Sequence, residues 1–395
     1  MRIAWLAPYP ASLLVPELHV DRHVQAHASS WIVNLANALA ARPEIQLHIV
    51  AEYPGVWGGR TVVRNGITFH ICRHAFPMTL RGFPSYLPLD TVTRYIGVRR
   101  SIRAVLNEIS PDLVHVHGME NGYGLAALDA GFPFVISVQG IIARYIEVEH
   151  SLFYRLHRPV ETEIVRRSRF FGTRTSWATD FVKEINPSAV CVDMPEAMHP
   201  CFFASKGADP SAQRILFVGN IGRRKGVEVL IRSLPTVLAQ KPEVRLTIVG
   251  TGKREYITRI KRQARALGVD TCIEWKGSKT SEDVARLHAM SSVLALPTLM
   301  DNSPNALAEG LVSGLPVVAS CVGGIPSMVD NNKTAILVEP GDPMDLAQGL
   351  IRLLEDRALA AAIAQNARRA ASVRYEPSIV AARTAEAYRE VLELW

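Results

Sequence analysis

Residues 293–320 read VLALPTLMDNSPNALAEGLVSGLPVVAS, and this stretch decides the fold. It begins with a short apolar run at residues 293–297, passes through a polar turn into a segment of small and apolar residues, and ends in an apolar run at residues 316–320. Strand-like runs that alternate with helical segments are typical of parallel sheets covered by helices. The stretch therefore predicts one strand, helix and strand unit of an α/β domain.

The polar turn carries two carboxylates, Asp301 and Glu309, eight positions apart. Pro304 suits the first turn of a helix and Ser303 its N-cap, so we expect Asp301 in the loop and Glu309 inside the helix. The helix N-terminus then presents N–H groups to an anion, and the two acids can each accept sugar hydroxyls beside a phosphate pair. The structural alternative is that Asp301 caps a loop and Glu309 is a partly paired buried acid.

The same alternation occurs twice along the chain. In the second half we expect strands at residues 214–218, 245–249, 271–275, 293–297, 316–320 and 335–338, each followed by a turn and a helix. In the first half we expect strands at residues 2–7, 46–51, 112–116, 134–138 and 189–193, and helices at residues 31–41, 91–109 and 176–185. Ligands of such sheets bind beyond the carboxyl ends of the strands, so the turns there should carry the chemistry.

The alternation is interrupted at residues 194–213, where the periodicity is lost and Pro, Gly and Ser gather. We therefore predict two Rossmann-like, doubly wound parallel-sheet domains that face one another across a cleft. The expected domains are residues 1–203 and 204–373, and residues 374–395 are expected to form a helix that packs back towards the first domain.

Composition narrows the classes of function. The chain has 395 residues, 48% of them hydrophobic and 21% charged, which excludes a disordered or fibrous protein. Because it contains no apolar run of about 18 residues and no signal-peptide profile, we expect a cytoplasmic protein. The five scattered cysteines indicate neither a disulfide framework nor a zinc site. The net charge of +7 favours anionic partners, namely nucleotide phosphates, lipid headgroups or nucleic acid.

A second turn, which follows residues 214–218, combines glycines with cations. Glycine lets a backbone approach a ligand closely, and Arg223, Arg224 and Lys225 open the next helix, as suits a diphosphate. The alternative is a solvated basic turn. The turn after residues 245–249 reads GTGK and has Glu255 in place of a third glycine, which counts against a nicotinamide dinucleotide site.

These motifs together resemble those of the retaining glycosyltransferases of family 4, which have the GT-B fold, and the resemblance extends over the whole chain. Its most specific part is the acid, the glutamate eight positions later, the sequence GLPVVA and the turn GGIP at residues 323–326. The family usually begins this motif with Glu where Asp301 stands. The resemblance implies three binding groups: Asp301, Asn302, Ser303 and Pro304 on the donor sugar, Glu309 on the ribose, and Asn305, Ala306 and Leu307 on the donor phosphates.

The resemblance also implies a cationic phosphate site. The family's usual Gly-Arg, four residues and Lys-Gly is matched by Lys225 and Gly226, but Asn220 takes the place of the arginine. We expect Arg223 or Arg224 to supply the missing charge, with Gly219 beside them. The nucleobase is expected near Gly250, Gly277, Ser278 and Lys279. In the first half, Ala26 and His27 stand where the family often has two glycines, so the diphosphate would rely on residues 28–30.

Two features of the first half fit the same family. His115 and His117 belong to its frequent His-x-His-Gly turn, and Gln139 stands where many members place a histidine beside the reacting carbon. We expect His115 in the core and His117 at the cleft. Gln139 cannot act as a base, which fits a retaining mechanism in which the departing phosphate takes the acceptor proton. The expected catalytic residues are Asp301, Lys225, His117 and Gln139, with no metal or other cofactor.

The acceptor side is less defined. Basic and aromatic residues interleave in residues 73–103 and 153–171, which suits either an anionic membrane surface or packed helices with solvated arginines. No nucleic-acid motif is present. We expect a UDP- or GDP-sugar donor and a sugar, lipid-linked or small-molecule acceptor, in polysaccharide or glycoconjugate synthesis at the cytoplasmic face of the membrane. The alternatives are a nucleotide-sugar epimerase, a sugar-phosphate synthase, or a catalytically silent binding or scaffold protein.

Overall fold

The computed structural model describes residues 1–10, 30–53, 59–73 and 89–395, and the chain divides into two compact units. Unit 1 comprises Met1–Ala197 and Pro377–Trp395, and unit 2 comprises Met198–Glu376. The chain therefore passes between the units after Ala197 and after Glu376, where the sequence predicted boundaries after residues 203 and 373.

Unit 1 is built on a twisted sheet whose described strands are ordered β3-β4-β2-β1-β5-β6-β7-β8. These strands are β1 Arg2–Leu6, β2 Gln46–Tyr53, β3 Arg60–Arg64, β4 Ile67–Arg73, β5 Leu113–His117, β6 Phe134–Ser137, β7 Phe170–Thr173 and β8 Val190–Asp193. Neighbouring strands are parallel except β3 and β4, which are antiparallel. The carboxyl ends of β5 and β6, which precede two of the predicted site turns, lie side by side in register, with His117 opposite Ser137.

The antiparallel hairpin of β3 and β4 is a departure from the predicted parallel sheet. Its turn is formed by Asn65 and Gly66, which both have positive φ angles, of 52° and 75°. Asn-Gly is the usual sequence of a two-residue hairpin turn, because both central residues must adopt left-handed conformations. The dipeptide was therefore a signal that the strand prediction missed.

Helices cover both faces of the unit 1 sheet. They are α1 Ser30–Ala40, α2 Leu89–Val92, α3 Ile96–Ile109, α4 Tyr123–Ala130, α5 Ile142–Tyr145, α6 Leu152–Arg167 and α7 Ser176–Ile185. The helix predicted over residues 91–109 is interrupted, because Arg94 and Tyr95 have φ angles of 53° and 55°. Polar side chains fix the starts of α6 and α7, where Ser151 accepts from the N–H of Tyr154 and Thr175 from that of Ala178.

Unit 2 contains a fully parallel sheet of order β11-β10-β9-β12-β13-β14. Its strands are β9 Arg214–Val218, β10 Arg245–Val249, β11 Ile273–Gly277, β12 Val293–Leu296, β13 Val317–Ser320 and β14 Ile336–Val338. Strands β10 and β11 lie on one side of β9, and β12, β13 and β14 lie on its other side. Strand order therefore reverses between β9 and β12, which is where doubly wound sheets bind ligands.

The helices of unit 2 follow its strands in the predicted alternation. They are α8 Pro200–Phe203, α9 Val227–Gln240, α10 Arg254–Ala266, α11 Ser281–Ala289, α12 Asn305–Ser313, α13 Pro343–Glu355 and α14 Arg357–Tyr375, with a short 3-10 helix at Arg223–Lys225. Buried apolar side chains pack on both faces of the sheet. The prediction of parallel-sheet α/β domains is confirmed, apart from the antiparallel β3.

The chain returns to unit 1 as α15, Pro377–Leu394. This helix packs against α1, and its buried residues, among them Val380 and Tyr388, join the core on one face of the unit 1 sheet. The hydroxyl of Tyr388 accepts a hydrogen bond from Trp5 Nε1 at 2.9 Å, which ties α15 to β1. Across the described ranges, every helix is too short or too polar to cross a membrane.

Candidate functional site

The turns after β9 and β10 lie backbone against backbone. The N–H of Gly219 donates to the carbonyl of Val249 at 3.0 Å, and that of Ile221 donates to Thr251 at 2.7 Å. A Cβ on Gly250 would lie only 1.9 Å from the carbonyl oxygen of Gly219, so a side chain at this position would force the two turns apart. The two predicted glycine-rich turns are therefore one continuous backbone surface.

The turn after β12 joins the same surface through glycine contacts. Gly226 has a φ of +68°, and a Cβ there would lie 1.7 Å from the carbonyl oxygen of Pro297. On the other side of this turn, a Cβ on Gly323 would lie 2.0 Å from the carbonyl oxygen of Asp301. We call residues 219–226, 249–253, 297–304 and 321–324 the unit 2 turns, because these contacts hold them together at one edge of the sheet.

A charged cluster lies where the turns after β9 and β12 meet. Lys225 Nζ donates a hydrogen bond to Asp301 Oδ2, and Arg224 Nη1 lies 3.2 Å from Asp301 Oδ1. Arg224 also donates to the carbonyl of Met300 at 3.1 Å. Burial acts to raise the pKa of the Asp301 carboxyl, but the adjacent Lys225 and Arg224 outweigh it and keep this pKa below its usual range. Asp301 is therefore a carboxylate.

Two polar residues of the turn after β9, Asn220 and Arg223, lie outside this cluster. Arg223 and Asn220 are exposed, whereas Arg224 and Lys225 are partly buried. Arg224 is thus the arginine that joins Lys225 on Asp301, and Arg223 is the one that faces solvent. The proposed compensation for Asn220 by either arginine stays a prediction.

Helix α12 begins one residue later than predicted. Its N-cap is Pro304, which has a ψ of 121°, and not Ser303. The reason is that the extended Pro304 supplies the first helical carbonyl, which accepts from the N–H groups of Leu307 and Ala308. Proline offers no side-chain cap, so the first N–H groups of the helix, on Asn305 and Ala306, are directed out of its N-terminal end. That end follows directly after the charged cluster.

The predicted sugar and ribose residues surround this helix end. Asp301, Asn302, Pro304 and Leu307 are buried, and Ser303, Asn305 and Ala306 are partly buried. Glu309 lies one turn inside α12 with 1% of its surface exposed. The predicted nucleobase residues lie at the same edge of the sheet, since the N–H of Gly250 donates to the carbonyl of Gly277, while Ser278 is exposed and Lys279 partly buried. All these binding roles stay predictions.

In unit 1, His115 is a core histidine, as predicted. Its Nδ1 lies 2.7 Å from the hydroxyl of Tyr388, and its Nε2 lies 2.7 Å from Ser137 Oγ. Burial lowers the pKa of His115 to about 3, and the positive charge of Arg174 adds to this effect, so the ring is neutral. Both ring nitrogens of His115 therefore make contacts inside unit 1.

His117, which the sequence predicted at the cleft, is buried. Trp5 and His115 pack against its ring at centroid distances of 4.3 and 3.9 Å, which leaves 2% of the residue exposed. Its two ring nitrogens are buried and have no hydrogen-bond partner among the described residues. Burial holds the pKa of His117 well below its usual value. It lines a small pocket of unit 1 together with Gln139, and the catalytic roles of both stay predictions.

The sequence did not indicate the roles of four charged residues of unit 1. Arg174 pairs with Glu196 at 2.5 Å, Glu120 accepts from the N–H of Gly140, and Glu161 is fully buried in α6. One signal was available for Glu161, which falls between Val160 and Ile164 on the apolar face of a helix. Glu120 and Arg174 had none, because each lies in a turn whose conformation the sequence does not determine.

Several predictions concern residues outside the described ranges. They include the diphosphate contact at residues 28 and 29, the positions Ala26 and His27, and residues 74–88 of the basic and aromatic stretch. Within the described ranges, no three His, Cys, Asp or Glu side chains are grouped so that they could hold a metal. The expectation of a metal-independent enzyme stays a prediction.

Residues 201–370, which make up most of unit 2, match the family described as glycosyl transferases group 1. This part of the chain is similar to that family, as the turn motifs indicated. A glycosyltransferase of Methanocaldococcus jannaschii that is itself uncharacterized, MJ1607, is 28% identical over 211 residues, or 53% of each chain. The D-inositol 3-phosphate glycosyltransferase of Corynebacterium jeikeium is 31% identical over 157 residues, which are 38% of this chain and 37% of that protein.

This chain thus spans about half the length, or less, of these curated relatives. Solved structures match over the full length. The sucrose-phosphate synthase of Thermosynechococcus elongatus has a TM-score of 0.81 at 18% identity and covers 100% of both chains. HepE of Anabaena, solved with UDP and glucose, has a TM-score of 0.73 at 16% identity and covers 99% of this chain and 100% of its own. At these identities the likeness shows the fold alone, and it confirms the predicted GT-B fold.

Proposed function

We propose that this chain is a retaining glycosyltransferase that moves a sugar from a UDP- or GDP-sugar to a sugar, lipid-linked or small-molecule acceptor. The observation that carries the proposal is the ion pair between Lys225 and Asp301. The two residues are 76 positions apart in the sequence and lie in the turns after β9 and β12. They meet at the point where the strand order reverses. A phosphate-binding cation and a sugar-binding carboxylate side by side fit a nucleotide sugar.

The charges suit the departure of a diphosphate. Lys225 and Arg224 bring two cations to the carboxylate of Asp301, so the cluster has a net positive charge. The N–H groups at the start of α12 add a partial positive charge beside it. As the bond to the sugar breaks, negative charge grows on the diphosphate, and fixed donors and cations stabilise that charge more in the transition state than in the ground state. No metal is needed for this step.

The relatives support this assignment. A D-inositol 3-phosphate glycosyltransferase is similar to 38% of this chain, and the sucrose-phosphate synthase and the UDP-containing HepE structure share the fold of the whole chain. On the acceptor side, we propose that Gln139 orients the acceptor, with His117 beside it, and that the departing phosphate takes the proton. We also propose a role in polysaccharide or glycoconjugate synthesis at the cytoplasmic face of a membrane, which the exposed Leu152 and arginines of α6 support.

A donor screen tests the proposal directly. The purified chain is mixed with UDP-, GDP- and ADP-sugars and with the bare nucleotides, and its melting temperature and the slow hydrolysis of each sugar nucleotide are measured. A donor that binds the native state raises the melting temperature with its concentration. We expect stabilisation and hydrolysis by a UDP- or GDP-sugar. Stabilisation without hydrolysis or transfer to any acceptor would instead indicate a silent binding protein, and conversion of the donor sugar would indicate an epimerase.

The largest effect on activity is expected for Lys225→Ala. We expect this change to lower kcat by roughly 10² to 10³, as for other lost transition-state donors, and Lys225→Arg to restore only part of it, because the geometry of the donor changes. The matched control is Arg232→Ala, which removes an exposed cation from α9. Steady-state kinetics is compared for the three variants after circular dichroism confirms that they fold. Wild-type turnover in Lys225→Ala would remove the phosphate role.

A further inference from the structure

The segment of residues 138–143 follows β6 and includes the first two residues of α5; it carries Gln139 and is otherwise mostly buried. Val138, Gly140 and Ile142 are buried, while Gln139 is partly exposed. A buried turn must find hydrogen-bond partners for its backbone groups within the protein. The N–H of Val138 donates to the carbonyl of Gly172 at 2.9 Å. Further partners are three charged side chains, Glu120, Glu161 and Arg174, which come from three different parts of the chain.

Glu161 uses both carboxylate oxygens on this segment. Its Oε1 accepts from the N–H of Ile142 at 2.8 Å, and its Oε2 accepts from the N–H of Ala143 at 2.7 Å. The side chain has 0% exposure and projects from α6, which lies about 20 residues further along the chain. Burying a carboxyl group in apolar surroundings is costly unless hydrogen bonds compensate it, so these two contacts account for its position.

Glu120 lies between the turns that follow β5 and β6. Its carboxylate accepts from the N–H of Gly140. A Cβ on Gly118 would lie 2.2 Å from Glu120 Oε2, and a Cβ on Gly140 would lie 2.6 Å from Glu120 Oε1. Both turns therefore contain glycine where the carboxylate approaches their backbones. This gives a physical reason for the glycine that ends the His-x-His-Gly turn and for the one that follows Gln139.

Arg174 fixes the other end of the segment. Its Nη2 donates to the carbonyl of Val138 at 3.0 Å, and its Nη1 lies 2.5 Å from Glu196 Oε1. The side chains of this ion pair are 5% and 7% exposed. Three side chains thus contact the backbone on both sides of Gln139, at positions 138, 140, 142 and 143.

We infer that Glu120 and Glu161 are positioning residues, which fix the backbone of residues 138–143 so that Gln139 meets the acceptor in one orientation. The inference rests on the proposed function. An amide side chain does not exchange a proton as a base does, so it contributes to catalysis only through where it lies. Misplacement of a reacting group by about 1 Å can lower a rate by about 10². The backbone contacts therefore matter for transfer and not for nucleotide binding, which we assign to unit 2.

The test compares Glu161→Gln and Glu161→Ala with Glu163→Gln. Glu163 is the matched control because it lies in the same helix but forms only exposed ion pairs, with Arg94 and Arg167. Glutamine keeps the volume of Glu161 and can accept only one of the two N–H bonds well. We expect the Glu161 variants to lose hydrogen-exchange protection at Ile142 and Ala143. We expect kcat for transfer to fall about 10- to 100-fold, while the dissociation constant for UDP changes less than about twofold. Glu163→Gln should match the wild type.

The outcomes separate the inference from the proposed function. If the wild type transfers no sugar from any nucleotide sugar, the proposed function fails, and exchange at Ile142 and Ala143 still decides whether Glu161 fixes the segment. If the wild type transfers sugar and Glu161→Gln keeps its kcat, or loses UDP binding in parallel, the positioning role is overturned. Unchanged exchange in both variants also overturns it. If the Glu161 variants fail to fold, Glu120→Gln, with exchange followed at Gly140, gives the same decision from another element.

Discussion

The two units fix their turns by different means. In unit 2 the turns touch through backbone atoms, at glycines such as Gly226 and Gly250, where even a Cβ would collide with a carbonyl oxygen. In unit 1 the segment around Gln139 is fixed by the charged side chains of Glu120, Glu161 and Arg174. The first arrangement depends on the absence of side chains. The second depends on charges that are buried far from water.

This difference has two consequences. The backbone contacts at the glycines contain no titratable group, so they do not depend on pH. They do not tolerate a side chain, because even a Cβ would collide with a carbonyl oxygen. Burial disfavours the charged form of two carboxyl groups of unit 1: it raises the pKa of Glu120, and it raises the pKa of Glu161 to about 7. The glycine contacts of unit 2 should therefore respond to added volume, and the carboxyl contacts of unit 1 to protonation.

The largest effect on stability is expected when volume is added to unit 2. Gly226→Ala places a methyl group 1.7 Å from the carbonyl oxygen of Pro297, at a φ of +68°. Left-handed strain costs about 1–2 kcal/mol and the collision roughly 1–3 kcal/mol more, so the free energy of unfolding should fall by roughly 2–5 kcal/mol. Urea denaturation followed by circular dichroism measures this change.

Gly268→Ala is the matched control for this change. Gly268 also has a φ of +68° and lies in unit 2, but no atom lies within 4 Å of its added Cβ. It should show only the strain of about 1–2 kcal/mol. Equal losses for the two variants would mean that the close approach to Pro297 contributes nothing.

A smaller effect, dependent on pH, is expected in unit 1. The folded pKa of Glu161 is about 7 against an ordinary 4.5, with Glu120 and Arg158 as its charged neighbours. Below pH 4.5 the group is protonated in both states; between 4.5 and 7 the unfolded chain loses its proton first, so stability falls as the pH rises through this window. The full change is on the order of 3 kcal/mol.

Glu161→Gln removes this titration. Unfolding free energies at pH 5 and pH 8 should therefore differ less in the variant than in the wild type, by on the order of 3 kcal/mol. Parallel pH dependence of the two proteins would show that the carboxyl group titrates normally, and that the contrast between the units is not one of charge.

The smallest effect concerns α15. Tyr388→Phe removes the hydroxyl that contacts Trp5 Nε1 at 2.9 Å and His115 Nδ1 at 2.7 Å. Leaving these buried groups without their partner should cost about 1–2 kcal/mol in the free energy of unfolding. Thermal denaturation of the two proteins checks this value. No change would mean that apolar packing alone secures α15 in unit 1.

The comparison also explains what could be predicted from sequence. The unit 2 strands and turns were predictable, because glycines, a cation group and Pro304 mark them directly in the chain. The strands at residues 214–218 and 245–249 were predicted with the bounds that the structure has. The start of α12 was wrong by one residue, since a proline suits both the first turn and the N-cap of a helix.

In unit 1 the sequence was less informative. The burial of His117 depends on Trp5 and His115, which β1 and β5 bring to one place, and periodicity does not report such contacts. The backbone contacts of Glu120 and Glu161 were not predictable either, because they join elements about 20 residues apart. A side chain that makes tertiary contacts is marked in the sequence only by its immediate neighbours. Glu161 is an example, because it is an acid on the apolar face of α6.

The return of the chain to unit 1 as α15 has a consequence for synthesis on the ribosome. Unit 2 is one continuous segment, Met198–Glu376, whereas unit 1 needs both Met1–Ala197 and Pro377–Trp395. Trp5 finds its partner Tyr388 only 383 residues later. All of unit 2 is therefore translated before unit 1 has its last helix, so the half that begins first is the half that is completed second.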